Sequence, residues 1–515
     1  MPGCSRGDRI VAVSPGSFYV TTAIPYVNAA PHLGHALELV QADVLARHRR
    51  LRGQRVRFLT GTDDNAFKNV TAARRAGVDV QTFVGANADR FLDLRKTLRL
   101  SFDDFIRTSS DERHAPGVSL LWQQTAAHGD FYRKTYKGLY CHGCEQFYAL
   151  AEAPSGCCPE HQTPLEPVTE SNWFFRLSAY TEPLMVALES GRVRIAPANR
   201  RNEVLAFVRR GLQDISVSRP QARSNGWGVP VPGDPDQVVY VWWDALANYV
   251  TALGYATEHP DYQRWWLQSE ERVHIIGKGI VRFHAVYWLA LLLSTGQPLP
   301  TSIFVHEYLT LHGAKVAKSA GNAIDPTDLV GRYGNDAVRW WLLADVGRTD
   351  DTDFTEDRLL LRYNQDLANS LGNLVNRTVN LVHRYRGGIL PNQVSGDETT
   401  QPLEDATTAL PSAIDQALAD FDFRGATAAL LDVVDLANRI VSRERPWELA
   451  KAEALDDTAA GRQLDNILTA LITSSRTVAH ELQPFTPDGS SRLRDQLGET
   501  AALPEPRPVF TRLNR

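Results

Sequence analysis

Two histidines flank a glycine in His32-Leu33-Gly34-His35, and two lysines stand three apart in Gly313-Ala314-Lys315-Val316-Ala317-Lys318-Ser319. Imidazoles at a helix start can donate to phosphate oxygens, because the exposed amides of a first turn attract anions. A glycine between them lets a ligand approach the backbone. Lysines on a loop deliver mobile positive charge to the same anion. The lysines alone are ambiguous, since surface loops often carry them. With the histidine turn they read as a cradle for a nucleoside triphosphate. In-line transfer at phosphorus needs such positioned, concentrated charge on the departing phosphates.

A third group is Cys141-His142-Gly143-Cys144 and Cys158-Pro159-Glu160-His161, with thirteen residues between the two pairs. Cys141, Cys144, Cys158 and His161 offer three thiolates and an imidazole, a set that suits tetrahedral zinc. Cys157 is an alternative to Cys158, although the spacing to His161 favours Cys158. A closed four-ligand site leaves no position for substrate, so the expected metal is structural.

These groups need a scaffold. Ile10–Val13 and Phe18–Thr22 run apolar as buried strands do, and Ala36–Leu45 carries an apolar stripe at helical spacing. The histidine turn therefore sits where a strand hands over to a helix. Strand-like Arg55–Thr60 ends at Gly61-Thr62-Asp63-Asp64, with helical segments over about 66–99. This βαβ opening predicts a parallel sheet with ligands at its carboxyl edge. Residues 117–231 break the rhythm and look inserted. The α/β pattern resumes at Val238–Trp242, Val273–Gly277 and Thr301–Val305. After about 355 the chain reads as helical, with runs at 356–386, 411–444 and 459–481 and a turn-rich connection from Gly387 to Pro411.

At 515 residues and 43% apolar, the chain can bury large cores and is expected to form two to four domains. A net charge of −5 argues against a general nucleic-acid coat but allows a local basic patch. Neither a signal peptide nor a membrane-spanning segment is expected. Four of five cysteines lie between Cys141 and Cys158, which fits a metal site in a reducing, cytoplasmic setting.

The histidine turn and the lysine loop together resemble the two signatures of class I aminoacyl-tRNA synthetases, in which an amino-acid carboxylate attacks the α-phosphate of ATP. The resemblance narrows to methionyl-tRNA synthetases and covers nearly the whole chain. It is carried by Ala23-Ile24-Pro25-Tyr26, Thr60-Gly61-Thr62-Asp63, Trp227–Pro232, Val241-Trp242-Trp243-Asp244-Ala245 and Ile276-Gly277-Lys278. It implies an α/β fold: a Rossmann-like catalytic domain over 8–116 and 232–300, interrupted by a connective domain with the zinc knuckle over 117–231. A lysine-loop, stem-contact segment over 301–355 and an α-helical anticodon-binding bundle over 356–515 follow.

The resemblance further implies an activity, methionine–tRNA ligation, with L-methionine, ATP with Mg²⁺, and a tRNA bearing a CAU anticodon as partners. It implies no membrane partner and a monomer. His32, His35, Lys315 and Lys318 would serve catalysis, with Lys318 the larger contributor of the lysine pair. Asn28, Gly34, Gly277 and Lys318 would line the ATP site. Ala23, Ile24, Tyr26, Trp242, Ala245, Leu246, Tyr249, Ile280 and His284 would form the methionine pocket, with Asp63 on the ammonium. A thioether suits a polarizable aromatic wall, and an ammonium wants an ionised acceptor. Asn380, Arg384 and Trp447 would read anticodon bases. Amide, guanidinium and indole suit unstacked RNA.

Three stretches depart from the family pattern. Asp63-Asp64-Asn65-Ala66 stands where aspartate-glutamate-histidine-glycine is usual, Gly279 where an aspartate follows glycine-lysine, and Val316 and Ala317 where methionine and serine lie between the lysines. A lost hydrogen bond to reacting groups costs on the order of 2.7–4 kcal/mol in comparable donor deletions. Two other functions are therefore weighed: a paralogue that adenylates methionine or a related amino acid for a non-translational acceptor, and a catalytically silent protein that binds tRNA or an amino acid.

Overall fold

The computed structural model describes residues 16–141, 146–148, 152–159, 162–257, 259–316, 323–391 and 397–514. Its centre is a six-stranded sheet in the order Asp104–Arg107, Arg55–Thr62, Ser17–Thr22, Glu271–Gly277, Ser302–His306, Arg194–Ala196. Every neighbouring pair is parallel. Strand order reverses beside Ser17–Thr22, so the crevice past its carboxyl end is the place where such sheets bind ligands. The Ile10–Val13 reading lies outside the described residues.

Ser17–Thr22 is buried along its whole length, and its side chains alternate between two cores as a strand's period of two requires. Phe18 and Val20, with Phe58, Ile275 and Phe304, face a core that continues into the carboxyl-terminal helices. Tyr19, with Leu59, Ile106, Ile276 and Val305, faces the helix His114–Ala127 and the helical layer around Trp288.

The helix Leu33–Leu51 joins the crevice to the carboxyl-terminal bundle. Asp43 and Arg339, both fully buried, meet at 2.8 Å, and Arg339 also donates to the carbonyls of Leu98, Pro484 and Phe485. At the helix's far end His48 meets Asp415 at 2.8 Å, and Arg52 bonds Asp415 at 2.7 Å and Glu481 at 2.7 Å. Buried charges survive only when paired this completely.

Three elements differ from the sequence reading. Arg194–Ala196 lies within the stretch that reads as inserted, yet it is the edge strand of the main sheet. Three residues are too few for periodicity to register. Val238–Trp242 does not continue the parallel sheet. Asp234–Val239 pairs antiparallel with Pro230–Val231 and Ser218–Pro220, and Val241–Leu246 is already helical. Finally, the connection expected up to Pro411 ends sooner, because Gln401–Ala419 is one helix with Pro411 inside it. Pro402 occupies a first-turn position that costs no hydrogen bond. Leu403, Leu410, Ile414 and Leu418 are buried at helical spacing and carry the helix through the internal proline.

A four-stranded antiparallel sheet, Gln146–Tyr148, Phe131–Cys141, Glu166–Phe175, Ile215–Ser216, stands off the main sheet. Glu356–Arg362, Tyr363–Gly372 and Asn373–Arg386 run on as one helical stretch, followed by the bundle helices Phe423–Glu444 and Thr458–Glu481. Among the described residues no helix is long and apolar enough to cross a membrane.

Candidate active site

A cavity of 1140 Å³ opens at the strand reversal, lined by Ala23–Tyr26, Asn28, His32, Gly34, His35, Asp63, Trp242, Gly277, Gly279, Ile280 and Lys315 among others. Residues from five separate stretches of the chain thus meet in one place.

The histidines are held by the helix start itself. His32 caps Leu33–Leu51, its Nδ1 accepting from the Gly34 amide at 3.1 Å. The His32 amide donates to His35 Nδ1 at 3.1 Å, and the two rings stack at 3.8 Å. Each Nδ1 accepts, so each neutral ring carries its proton on Nε2. Capping and phosphate handling are therefore compatible: the cap fixes the tautomer that makes Nε2–H a donor. Gly34 leaves room for this packing, since a Cβ there would lie 3.0 Å from His32 Cε1 and the ring would have to give by a few tenths of an ångström.

Asp63 is placed by backbone. Its amide donates to the Pro25 carbonyl at 2.9 Å, bridging the loops after the first two strands. Asn69 Nδ2 ties down the carbonyls of Asp63 and Asp64 at 2.9 and 2.8 Å. The Asp63 side chain is buried at the cavity wall. Asp64 turns the other way, accepting from Ser109 Oγ at 2.9 Å, and burial pushes its carboxyl up to about 6. Asn65 is not a cavity residue; it donates to Asp244 Oδ2 at 2.7 Å.

Trp242 stacks on Phe283 at 3.7 Å and meets Tyr26 edge-on at 6.2 Å. Behind it lie Ala245, Tyr249 and His284, all buried and outside the main cavity. Leu246 lines a small apolar gap that shares Trp242 with the cavity. His284 Nδ1 donates to the Ile280 carbonyl at 3.0 Å, so its Nε2 accepts from the Tyr249 hydroxyl at 2.7 Å. Burial pulls the imidazole down to about 4, leaving a neutral ring behind an aromatic wall.

On the opposite wall, Lys315 Nζ lies 3.6 Å from the centroid of the Tyr308 ring. Lys318 and Ala317 lie outside the described residues; Val316 is buried and lines the cavity. Sequence reasoning missed two acids here. Glu38, one turn on from His35, meets His306 Nε2 at 3.1 Å. Its position three residues along the same helix face was a usable signal. Glu307 accepts both Nη2 bonds of Arg200 at 2.6 Å and pairs with Lys278 at 3.1 Å. Its partner Arg200 is too distant in sequence to be guessed.

Known proteins resemble this chain over nearly its whole length. The family model described as "tRNA synthetases class I (M)" covers residues 18–165 and 155–379. A methionine–tRNA ligase of Caldanaerobacter subterraneus subsp. tengcongensis is 40% identical over 488 residues, 95% of this chain and 75% of that protein. The chain belongs to the class I methionyl-tRNA synthetase family. A Streptomyces coelicolor methionine–tRNA ligase is 38% identical over 95% of this chain and 90% of its own. The structure of Mycobacterium tuberculosis methionyl-tRNA synthetase in complex with methionyl-adenylate superposes with a TM-score of 0.91 at 37% identity, covering 96% of this chain and all of that one. The free form of that enzyme gives 0.84 at 35% identity over 98% of this chain and 99% of its own. The resemblance read from the two signatures is borne out.

Among the described residues, the expected zinc ligands and the expected anticodon residues do not themselves line the cavity. Cys141 and Cys158 are buried together with Tyr148, Ala153 and Leu165 in one small cluster; Cys144 and His161 lie outside the described residues. Cys157 is half-buried, and among the described residues no three metal-ligating side chains come together. Asn380 and Arg384 are exposed on Asn373–Arg386. Asn380 Nδ2 donates to the Asn376 carbonyl at 2.7 Å. Trp447 is half-buried in the first turn of Pro446–Glu453, a helix that packs against Asn373–Arg386.

Proposed function

We propose that this chain is a working methionine–tRNA ligase, joining L-methionine to ATP as methionyl-adenylate with release of pyrophosphate and then passing it to tRNA. The observation that carries this is the meeting of His32, His35, Asp63, Trp242 and Lys315 in one cavity. Asp63 takes the substrate ammonium, and Trp242 with Tyr26, Ala23, Ile24 and Ile280 takes the thioether. Tyr249 and His284, with Ala245 and Leu246, support Trp242 from behind, which makes them residues of the pocket's second wall. The methionine carboxylate is then free to attack the α-phosphate of Mg²⁺-bound ATP, seated against Asn28, Gly34 and Gly277. As charge moves to the β- and γ-phosphates, the Nε2–H groups of His32 and His35 donate to it, and Lys315 and Lys318 bring positive charge from the loop.

Two of the departures from the family pattern are compatible with this reading. Asn65 faces Asp244 rather than the reacting centre, and the wall beside Gly279 holds a carboxylate in Glu307. Methionine-dependent ATP–pyrophosphate exchange, followed by charging of tRNA with a CAU anticodon, tests the proposal. Exchange without charging would move the final acceptor away from tRNA. Absence of exchange with any amino acid, alongside tRNA binding, would leave only a binding protein.

A structural zinc held by Cys141, Cys144, Cys158 and His161 belongs to the same reading. The burial of two thiols in one cluster supports it, since a thiolate pair shielded from water suits a closed site. The metal would tie the antiparallel excursion together and take no part in the reaction. Elemental analysis at one zinc per chain is the expected result; a folded, metal-free protein would end that part of the proposal. Asn380, Arg384 and Trp447 we assign to the anticodon, on adjoining helices of the bundle.

A further inference from the structure

We propose that His274 is a positioning residue for methionine recognition, its ring being the surface that sets the angle of Tyr249; this rests on the reading above that Tyr249 and His284 back the methionine pocket. His274 stands in the middle of Glu271–Gly277, opposite Thr21 in the parallel pairing, and is fully buried. The Trp288 indole N–H donates to its Nε2 at 3.1 Å. An indole only donates, so Nε2 accepts and the ring proton sits on Nδ1, which donates to Thr21 Oγ1 at 2.7 Å. Burial, with His284 and Arg272 adding to it, holds the imidazole well below its ordinary range. The ring is neutral and its tautomer is fixed.

One ring thus joins the three elements that carry the pocket. Thr21 lies just before Ala23 and Ile24 on the first strand. Trp288 ends Phe283–Trp288, the helical stretch that holds His284. Tyr249, on Asn248–Thr251, supplies the third: its ring stacks on His274 with centroids 4.2 Å apart and 28° between the planes. The Tyr249 backbone is held separately, its carbonyl accepting from the Tyr19 hydroxyl at 2.8 Å. The Tyr249 hydroxyl donates to His284 Nε2 at 2.7 Å, and His284 Nδ1 donates to the Ile280 carbonyl at 3.0 Å. The plane of His274 is passed in this way to Tyr249, then to His284, and then to the turn that brings Ile280 into the cavity.

A phenylalanine would fill this place without burying two polar atoms, so packing alone does not call for an imidazole. What the imidazole adds is direction. An apolar ring can tilt about its own side-chain bond, whereas a ring bonded at two edges is held in one plane. Tilt matters because Tyr249 lies against that face. Its hydroxyl reaches His284 only within the narrow range of distance and angle that a hydrogen bond allows. His274 therefore gives the pocket a wall of fixed shape, although it touches no substrate.

Methionine-dependent ATP–pyrophosphate exchange and thermal unfolding of the full chain provide the test, with Tyr249→Phe, His274→Phe, Thr21→Val and the Thr21→Val/His274→Phe double variant. Tyr249→Phe should raise KM for methionine; if it does not, the assignment of Tyr249 to the pocket fails and the role of His274 fails with it. His274→Phe should raise KM for methionine about tenfold, the scale of one misdirected hydrogen bond, with kcat and KM for ATP held within about twofold. Its melting temperature should fall, because the Thr21 hydroxyl and the Trp288 indole lose their partner. The double variant removes the stranded hydroxyl. Its melting temperature should recover in part, while KM for methionine stays where His274→Phe put it. If stability and KM recover together, His274 is merely structural and the proposal is overturned. An unchanged KM for methionine in His274→Phe, or an equal rise in KM for ATP, overturns it too, while an impaired Tyr249→Phe leaves the pocket assignment standing. Should His274→Phe fail to fold, Thr21→Val decides: a rise of about threefold in KM for methionine alone supports the role, and no rise ends it.

Discussion

Asn65 Nδ2 donates to Asp244 Oδ2 at 2.7 Å, while His114 Nε2 donates to Asp244 Oδ1 at 2.5 Å and His114 Nδ1 meets Thr251 Oγ1 at 2.8 Å. Asp244, His114 and Thr251 are all buried. The residue that departs from the usual histidine of the family is therefore a member of a polar network beneath the pocket. It ties the loop that carries Asp63 to the helix that carries Trp242.

Asn65→Ala should consequently act on stability and on the methionine site together. It leaves a buried carboxylate oxygen without its donor, a loss of about 1–3 kcal/mol. Denaturant unfolding should show a lower midpoint. KM for methionine should rise more than KM for ATP, because Trp242 sits on the loosened helix. An unchanged midpoint would mean that water or a neighbour replaces the amide.

Asp64 and His284 make the pH dependence of stability a contest of opposite signs. Burial raises the folded-state pKa of Asp64 from 3.8 to about 6, so the folded chain holds the extra proton between those values. Stability on its account falls as pH rises through that window and stays lower above it. Burial lowers His284 from 6.5 to about 4, so the unfolded chain holds the extra proton in its window and stability on its account rises with pH. Asp64→Asn removes only the first effect. It should raise the melting temperature at pH 8 and give no gain at pH 4, with an upper scale of about 1.4 kcal/mol for every tenfold change in proton affinity. A gain of equal size at both pH values would trace it to packing rather than charge.

Glu307→Gln should be costly for a different reason. The carboxylate is 1% exposed and takes three bonds of 2.6–2.9 Å from Arg200 as well as the Lys278 ammonium. An amide in its place leaves two cations facing a group that cannot balance them. Removing one partner of a buried pair costs roughly 3–5 kcal/mol, reduced here because Arg200 and Lys278 are partly exposed. Calorimetric unfolding of the variant checks the loss, and Glu307→Asp should recover part of it. A variant as stable as the parent would show that the cations have found other partners.

The parts of this site that could be read in the sequence are contiguous ones. His32, Gly34 and His35 occupy one helix turn, and the strand before them and the stripe after them announce that turn. Asp63 is legible for the same reason, standing where an apolar strand ends. Glu307 and Arg200 meet only because Arg194–Ala196 joins the edge of the main sheet. That strand is too short to signal itself, so the ion pair it brings together was invisible. The tautomers of His32, His35 and His284 were equally hidden, because they depend on which ring nitrogen meets a backbone amide or carbonyl. Pro411 misled for a local reason: it resembles a boundary, but four buried apolar residues hold the helix through it.

Gly34→Ala separates catalysis from folding most sharply. A Cβ at this position would stand 3.0 Å from His32 Cε1 and 3.1 Å from its Nδ1, so the ring must move. A shift of a few tenths of an ångström lengthens the Gly34 amide bond that fixes the ring's proton on Nε2 and disturbs the stack with His35. The fold has less at stake, since alanine favours the helix over glycine by about 0.5–1 kcal/mol, against about 1 kcal/mol for a lost cap. The expected result is a melting temperature within a few degrees of the parent and a kcat for ATP–pyrophosphate exchange lower by about a hundredfold, the scale of one misplaced donor to the developing charge. Exchange at the parental rate would show that the His32 ring can turn aside without leaving the phosphates, and that its cap is not what aims it.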